Sequence, residues 1–360
     1  MPEAVIVATA RPPIGRAYKG SLRDLRPDDL AVQMVHAVLA AANRFCASSL
    51  QAIRMAAHAV KAGEGDVFIA VGVEAVSRYE QCNADSHPGT ENPRFAVAQA
   101  RTRQVADGVR DWSDPWADGE PDSHLAMGQT AENVAALERV SRAEQDAYAV
   151  RSRNSAEKGI ADGFWGRDIT PVTLPDGTLV TADDCPRPGV TLEAVAALKA
   201  AFRPDGMATA GNACPLNDSA AAMVIMSDVE ARQLGLTLLA HVVSTALSAL
   251  SPEIMGLGPA EASTRALARV GLTIGDLDLV AMNEAFAAQV IPAARQLEID
   301  EERLNIYGGA IAIGHPFGMT GVRIATTLIH VLQERDGEFG LETMCVGGGQ
   351  GMAMVLQHCS

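Results

Sequence analysis

Hydrophobic positions along the chain change their period several times, and each change marks an element. "AVIVAT" near the start is a short apolar run that predicts a first strand. Residues 28–42 then place Leu30, Met34 and Val38 on one helical face. Residues 47–62 form a second stripe through Leu50, Ile53, Ala57 and Val60, with Gly63 positioned to close the helix. "DVFIAVGV" follows as a fully apolar strand. Helix, glycine turn and buried strand in that order predict a layered α/β fold.

The rhythm breaks over residues 81–205. "CNADSHPGTENPRF" and "RDWSDPWADGEPDSH" are polar stretches punctuated by Pro and Gly, and "TAENVAALERV" and "RAEQDAYAVRSRNSAEKGI" are the helices set among them. Strands resume at "SAAAMVIMSD" and continue through "DLDLVAMN" to "ETMCVGGGQGMAMVLQ". Both ends alternate strand and helix with a cysteine at a turn, consistent with a duplicated α/β unit.

Composition narrows the class. With 360 residues, 48% of them hydrophobic, the chain can bury a large core in two or three domains. Only 4% are aromatic against 32 glycines, which favours close helix–sheet packing over an aromatic-rich sandwich. The formal charge of −15 excludes wholesale attraction to nucleic acid, yet leaves local arginines and backbone N–H groups free to hold an anionic substrate. There is no apolar run of bilayer length and no basic-flanked apolar N-terminus, so a cytoplasmic protein without a membrane partner is expected. The cysteines Cys46, Cys82, Cys185, Cys214, Cys345 and Cys359 form no CxxC pair. Neither a disulfide framework nor a metal site is expected, and each thiol needs its own explanation.

Four stretches carry candidate chemistry. In "NRFCASSLQAIRM", Cys46 stands just ahead of a helix predicted to begin at Ala47 or Ser48. The helix dipole would stabilise a thiolate there, and Ala47, Ser48 and Ser49 leave room for a substrate. An isolated cysteine is more often buried and inert. In "GGAIAIGHPFGMTG", glycines on both sides of His315 predict a tight loop where a ligand can approach, with the imidazole as the base for a thiol. In "CVGGGQGMAMV", Cys345 ends a strand and the glycines after it bare N–H groups for an oxyanion. A phosphate loop is the competing reading, but no GK[ST] follows. In "MNEAFAAQ", Asn283 ends a strand, where its amide could hold a water or an oxyanion or simply cap the next helix.

Together with "MGQTAENVA", "GNACPLNDSAAAMVIMS" and "SPEIMGLGP", these stretches resemble the thiolase family, in the family's order and over nearly the whole chain. The resemblance implies acyl transfer between coenzyme A and the enolate carbon of an acyl-CoA. The reaction would be thiolysis of a 3-ketoacyl-CoA, or Claisen condensation, through an acyl-cysteine and without a bound cofactor. By the resemblance Cys46 is the nucleophile, His315 its base, and Cys345 the thiol that moves the α-carbon proton. Asn283 holds a water that, with His315, stabilises the enolate oxygen. The N–H groups of Cys46 and Gly347 form the second oxyanion hole. Met127 lines the acyl pocket, and Ser244 and Phe286 contact CoA. Ketoacyl synthases also pair cysteine with histidine, but the second cysteine in "CVGGGQG" favours a thiolase.

The implied fold is a duplicated α-β-α-β-α layering. Residues 1–80 and 206–238 form the N-terminal half, 81–205 a loop domain over CoA, and 239–360 the C-terminal half; a homodimer or homotetramer is implied. Two departures matter for specificity and turn geometry. Ala126 stands where some acetoacetyl-CoA-specific members have histidine, and Ser219 replaces a glycine, predicting a strained turn. A larger departure is a gap. The family has another strand, a helix and a further strand between the first helix and the nucleophile. Here "AVQMVHAVLAA" runs straight into "ANRFCASSL". A strand–helix–strand unit of ~30 residues or more is missing. Its loss predicts an uncovered sheet edge, and an alternative role as a catalytically impaired CoA- or partner-binding subunit.

Overall fold

The computed structural model describes residues 2–22, 43–78, 93–114 and 119–359. The helix expected over residues 28–42 and the thiol of Cys82 lie outside these.

Eight strands make one sheet: β1 (Ala4–Ala10), β2 (Gly15–Arg16), β3 (Val67–Ala75), β6 (Asn217–Ser227), β7 (Ala240–Ala249), β8 (Leu279–Met282), β9 (Phe339–Val346) and β10 (Gln350–His358). A separate small hairpin joins β4 (Val172–Thr173) to β5 (Leu179–Val180). β6 is antiparallel to β3 along one edge and to β1 and β2 along the other. β10 is antiparallel to β7 and β9, and β9 runs parallel to β8. The two groups meet through the short pairing of Val5 and Ile6 with His241 and Ala240.

The duplication is visible in this pairing. β1, β6 and β3 repeat the arrangement of β7, β10 and β9. β8 then extends the second group, whereas no strand among the described residues lies on the far edge of β3. Val67 and Val73 of β3 are 50% and 36% exposed, an uncommon state for valines of a sheet that is otherwise deeply buried. An exposed edge of this kind is what the gap read from the sequence predicts.

Helix α1 (Ser48–Ala62) buries Leu50, Ile53, Ala57 and Val60, the stripe read from the sequence, and Gly63 closes it in the left-handed conformation at φ 75°. Of the helices that follow, four more bear on the site: α2 (Met127–Leu137), α3 (Arg142–Ala161), α4 (Gly258–Ala268) and α5 (Ala287–Gln296). The last, α6 (Thr320–Arg335), touches strands of both groups and packs directly on α1. Gly321 permits that approach: a Cβ there would lie 2.4 Å from the backbone nitrogen of Leu50. The N-termini of α1 and α6 carry Cys46 and His315, so one close helix contact brings the two chemistries together.

The region after β3 is anchored to the first strand by charge. Arg11, wholly buried, binds Asp183 at 2.7 and 3.2 Å, and its Nε lies 3.6 Å from Asp168. A buried guanidinium is tolerated only when its charge is met this way. Helix α3 begins with a reciprocal cap in which Ser141 and Glu144 satisfy each other's backbone N–H groups. Ser219 corrects one expectation. It sits inside β6 rather than on a turn, its φ is not positive, and its hydroxyl donates to the Pro13 carbonyl at 3.1 Å. No strain arises there. No helix among the described residues is long and apolar enough to cross a membrane.

Candidate active site

Cys46 lies in a single 3-10 turn, Phe45–Ala47, that leads into α1. Phe45 adopts φ 45°, a left-handed conformation that costs a β-carbon-bearing residue energy and is tolerated where surrounding packing enforces it. Its ring rests against the Gly347–Gly348 turn. The turn packs on β9 and on the 3-10 turn Phe317–Met319 that follows His315. The backbone N–H groups of Gly347 and of Cys46 itself are both aimed at the Cys46 sulfur.

The expectation of a lowered thiol pKa is overturned. Loss of solvent around the sulfur raises Cys46 to about 12, against the two N–H groups that favour the thiolate, and the Glu74 carboxylate adds to the rise. The Cys46 side chain is therefore a thiol at rest.

His315 is buried in the loop between Gly314, at φ 115°, and α6. A Cβ at Gly314 would lie 2.7 Å from Asn217 Oδ1, which accepts the His315 backbone N–H. Thr320 donates its hydroxyl to the Pro316 carbonyl at 2.7 Å and stands 2.7 Å from His315 Nδ1. With that hydroxyl proton committed, Nδ1 carries the ring proton and Nε2 is left as the acceptor. Facing it at 3.1 Å is the side-chain nitrogen of Asn283. Burial, helped by Arg323, lowers His315 to about 3. The ring is a neutral imidazole with its basic nitrogen turned to Asn283, whose buried Oδ1 has no hydrogen-bond partner among the described residues.

Cys345 is fully buried on β9, one residue before the strand ends at Val346. Burial pushes its thiol well up, and the sulfurs of Cys46 and Cys214 add to the shift, which places the three together. Cys214 was not singled out in the sequence. Residues Asn212–Cys214 are bonded against 285–287: Cys214 N–H donates to Ala285 at 3.0 Å, and Ala287 N–H to Asn212 at 2.9 Å. The segment after Asn283 therefore fixes Cys214 near Cys46.

Cys214 also lines a cavity of about 520 Å³ with Cys185, Arg16, Lys19, Arg153, Arg187 and Asp184. Asp184 is occupied by the N–H groups of Arg16 and Ser21. Among the described residues Arg153 bonds only the Gly211 carbonyl, at 3.2 Å. Burial and the neighbouring Arg187 hold it below its ordinary pKa. Two guanidinium groups near each other, with no salt-bridged carboxylate among the described residues, suit an anionic ligand. These residues are scattered through the sequence with no motif, and only folding collects them.

Of the predicted binding residues, Met127 and Phe286 pack with Phe202 in the cluster that includes Cys345. The Phe202 and Phe286 rings meet edge to face at 5.9 Å. Ser244 lies elsewhere, on β7, with its hydroxyl donated to the Ala266 carbonyl at 2.6 Å. None of the three lines the basic cavity.

The chain matches the family models "Thiolase, N-terminal domain" over residues 39–229 and "Thiolase, C-terminal domain" over 236–358. It is 36% identical to a 3-ketoacyl-CoA thiolase of Bacillus subtilis (strain 168), with all of both chains covered. That alignment runs over 415 positions while the chain has 360 residues, so at least 55 positions have no counterpart here. The dimeric peroxisomal thiolase of Saccharomyces cerevisiae is similar in structure, with a TM-score of 0.85, 30% identity, and 99% and 98% of the two chains covered. So is human mitochondrial 3-ketoacyl-CoA thiolase in complex with CoA, with a TM-score of 0.83, 29% identity and the same coverage.

Proposed function

Since the chain belongs to the thiolase family, we propose that it cleaves 3-ketoacyl-CoA with CoA, or condenses acyl-CoA in reverse, through an acyl group on Cys46. The observation that carries this reading is the convergence of Cys46, Cys345 and the His315–Asn283 pair beside a basic cavity. A Claisen reaction needs a nucleophile, a separate acid/base, and stabilisation for two oxyanions.

In the cleavage direction Cys46 attacks the 3-keto carbon. Because the resting thiol is protonated, its proton passes to His315 Nε2 as the carbon–sulfur bond forms. The N–H groups of Cys46 and Gly347 already point at the sulfur, so they stand where the acyl carbonyl oxygen gathers charge. Breaking the C2–C3 bond releases an enolate, whose oxygen is received by His315 and Asn283 while Cys345 protonates C2. The thiol of CoA then takes the acyl group from Cys46. The unpartnered Oδ1 of Asn283 supports the reading that a water belongs beside it.

The basic cavity is the place for CoA in this reading: its cations face the phosphates, and its Cys214 end lies against the nucleophile. Met127 and Phe286 would line the acyl side. Ser244 would act through α4, since its hydroxyl is committed there. A dimer, like the yeast relative, and a cytoplasmic location complete the proposal. The intact constellation argues against an impaired subunit.

The test is thiolysis. The purified chain is mixed with CoA and 3-ketoacyl-CoA substrates from four carbons upward, and consumption of CoA is followed. Two acyl-CoA products per turnover support the proposal; no turnover at any chain length overturns it.

A further inference from the structure

The basic cavity holds two thiols that the acyl-transfer mechanism does not use. Cys185 is buried, and its sulfur accepts a hydrogen bond from Asn217 Nδ2 at 3.1 Å. Cys214 lines the same cavity, is partly accessible, and has no side-chain hydrogen-bond partner among the described residues. Arg16, Lys19, Arg153 and Arg187 share the lining with it. Cys214 thus shares the cavity wall with these cations, and its sulfur is close enough to that of Cys46 to shift its pKa.

We propose that Cys214 is a modification site for the disulfide form of the substrate thiol, taking one CoA moiety as a mixed disulfide that plugs the channel in front of Cys46. The inference rests on the placement of CoA in this cavity. In the step, the Cys214 thiolate attacks one sulfur of CoA–S–S–CoA, and the bond between the two CoA sulfurs breaks. The departing CoA thiolate takes up the proton that Cys214 released, and one CoA–SH leaves per chain. No oxidant beyond the disulfide itself is needed. Burial and the Cys46 sulfur hold the Cys214 thiol above its ordinary pKa, so it is sluggish toward disulfides in free solution. A disulfide held by the cations is presented at a high effective concentration, which offsets the small thiolate fraction. Cys185, already bonded to Asn217 and enclosed, is the less available partner.

The experiment uses the Cys46→Ala protein, which removes the competing nucleophile. It is incubated with CoA disulfide, then analysed by intact mass and peptide mapping, with CoA binding measured on the same protein by calorimetry. The expected result is a gain of one CoA moiety on the Cys214 peptide, reversed by dithiothreitol, kept in C46A/C185S and absent from C46A/C214S. Glutathione disulfide, which lacks the phosphates, is expected to label at least about tenfold more slowly. Peptide mapping of C46A alone decides the matter should the double variant fold poorly. If CoA binds and Cys214 stays unlabelled, or the label falls on Cys185, this inference is overturned while the placement of CoA stands. If CoA does not bind, the placement fails first, and the inference with it.

Discussion

The side-chain nitrogen of Asn283 stands 3.1 Å from Nε2 of His315, on the side of the ring opposite Thr320. One amide therefore donates to the atom proposed as the base. Replacing it by a carboxylate reverses that relation: Asn283→Asp accepts from a protonated ring and favours the imidazolium. The expected result is a fall in thiolysis of about 10²–10³-fold, the scale of losing one oxyanion donor. The acid limb of the pH–rate profile should move upward together with it. An unchanged profile would show that the contact does not tune the base.

His315 also makes stability depend on pH. Its folded pKa of about 3 lies below the ordinary 6.5, so in acid the unfolded chain binds a proton that the folded chain refuses. Stability is fully present above 6.5 and falls as pH drops toward 3, by about 1.4 kcal/mol per pH unit from this group. Urea titrations from pH 7.5 to 4 should show the slope, and His315→Gln should flatten it.

The two thiols proposed to be catalytic should separate by half-reaction. Cys46→Ser should abolish both thiolysis and the exchange of acetyl groups between acetyl-CoA and labelled CoA. Cys345→Ser should retain exchange, which needs no proton at carbon, while thiolysis drops by at least about 10²-fold. Equal losses in both assays for C345S would remove its proposed role.

Arg153→Ala and Arg187→Ala test the cavity. Each is expected to raise the KM for CoA about 5- to 50-fold with kcat nearly unchanged, as for loss of a charge-assisted contact made equally in ground and transition states. The effect should shrink as salt rises. Unchanged KM in both variants would move CoA to another surface.

Glu342 is fully buried on β9, neither carboxyl oxygen is hydrogen-bonded among the described residues, and burial pushes its pKa well up. Held protonated by burial against the pull of the nearby Arg323, it is a neutral carboxyl, and replacing it by methionine removes that polar group from the core. The expected gain is about 1–3 kcal/mol at pH 7, read as a higher urea midpoint with unchanged slope.

Much of the fold was legible because period and glycine placement are local signals. The α1 stripe and its Gly63 cap follow from spacing alone, as does the apolar run of β3. Among the motif residues, His315 stood out because glycines and a proline mark its loop, Cys345 because glycines follow its strand, and Cys46 and Asn283 because each stands at the boundary of a predicted element. What escaped was non-local. Arg153 lies on a helix and Arg187 on a loop, and nothing in either neighbourhood says that they face one cavity. The thiol pKa of Cys46 was misjudged for a related reason. The dipole of α1 can be read from the sequence, but the loss of water around the sulfur depends on β9 and the Phe317–Met319 turn, which arrive from the other end of the chain.

That arrangement has a consequence during synthesis. Cys46 emerges from the ribosome early, whereas His315, Cys345 and the N–H of Gly347 emerge only with the last part of the described chain. Until β9 and β10 pair, the Cys46 sulfur lacks the Gly347 N–H and the enclosure that raises its pKa. A growing chain therefore carries Cys46 as an ordinary solvated thiol through most of its production. In the proposed mechanism, pairing of the final hairpin is what completes the site.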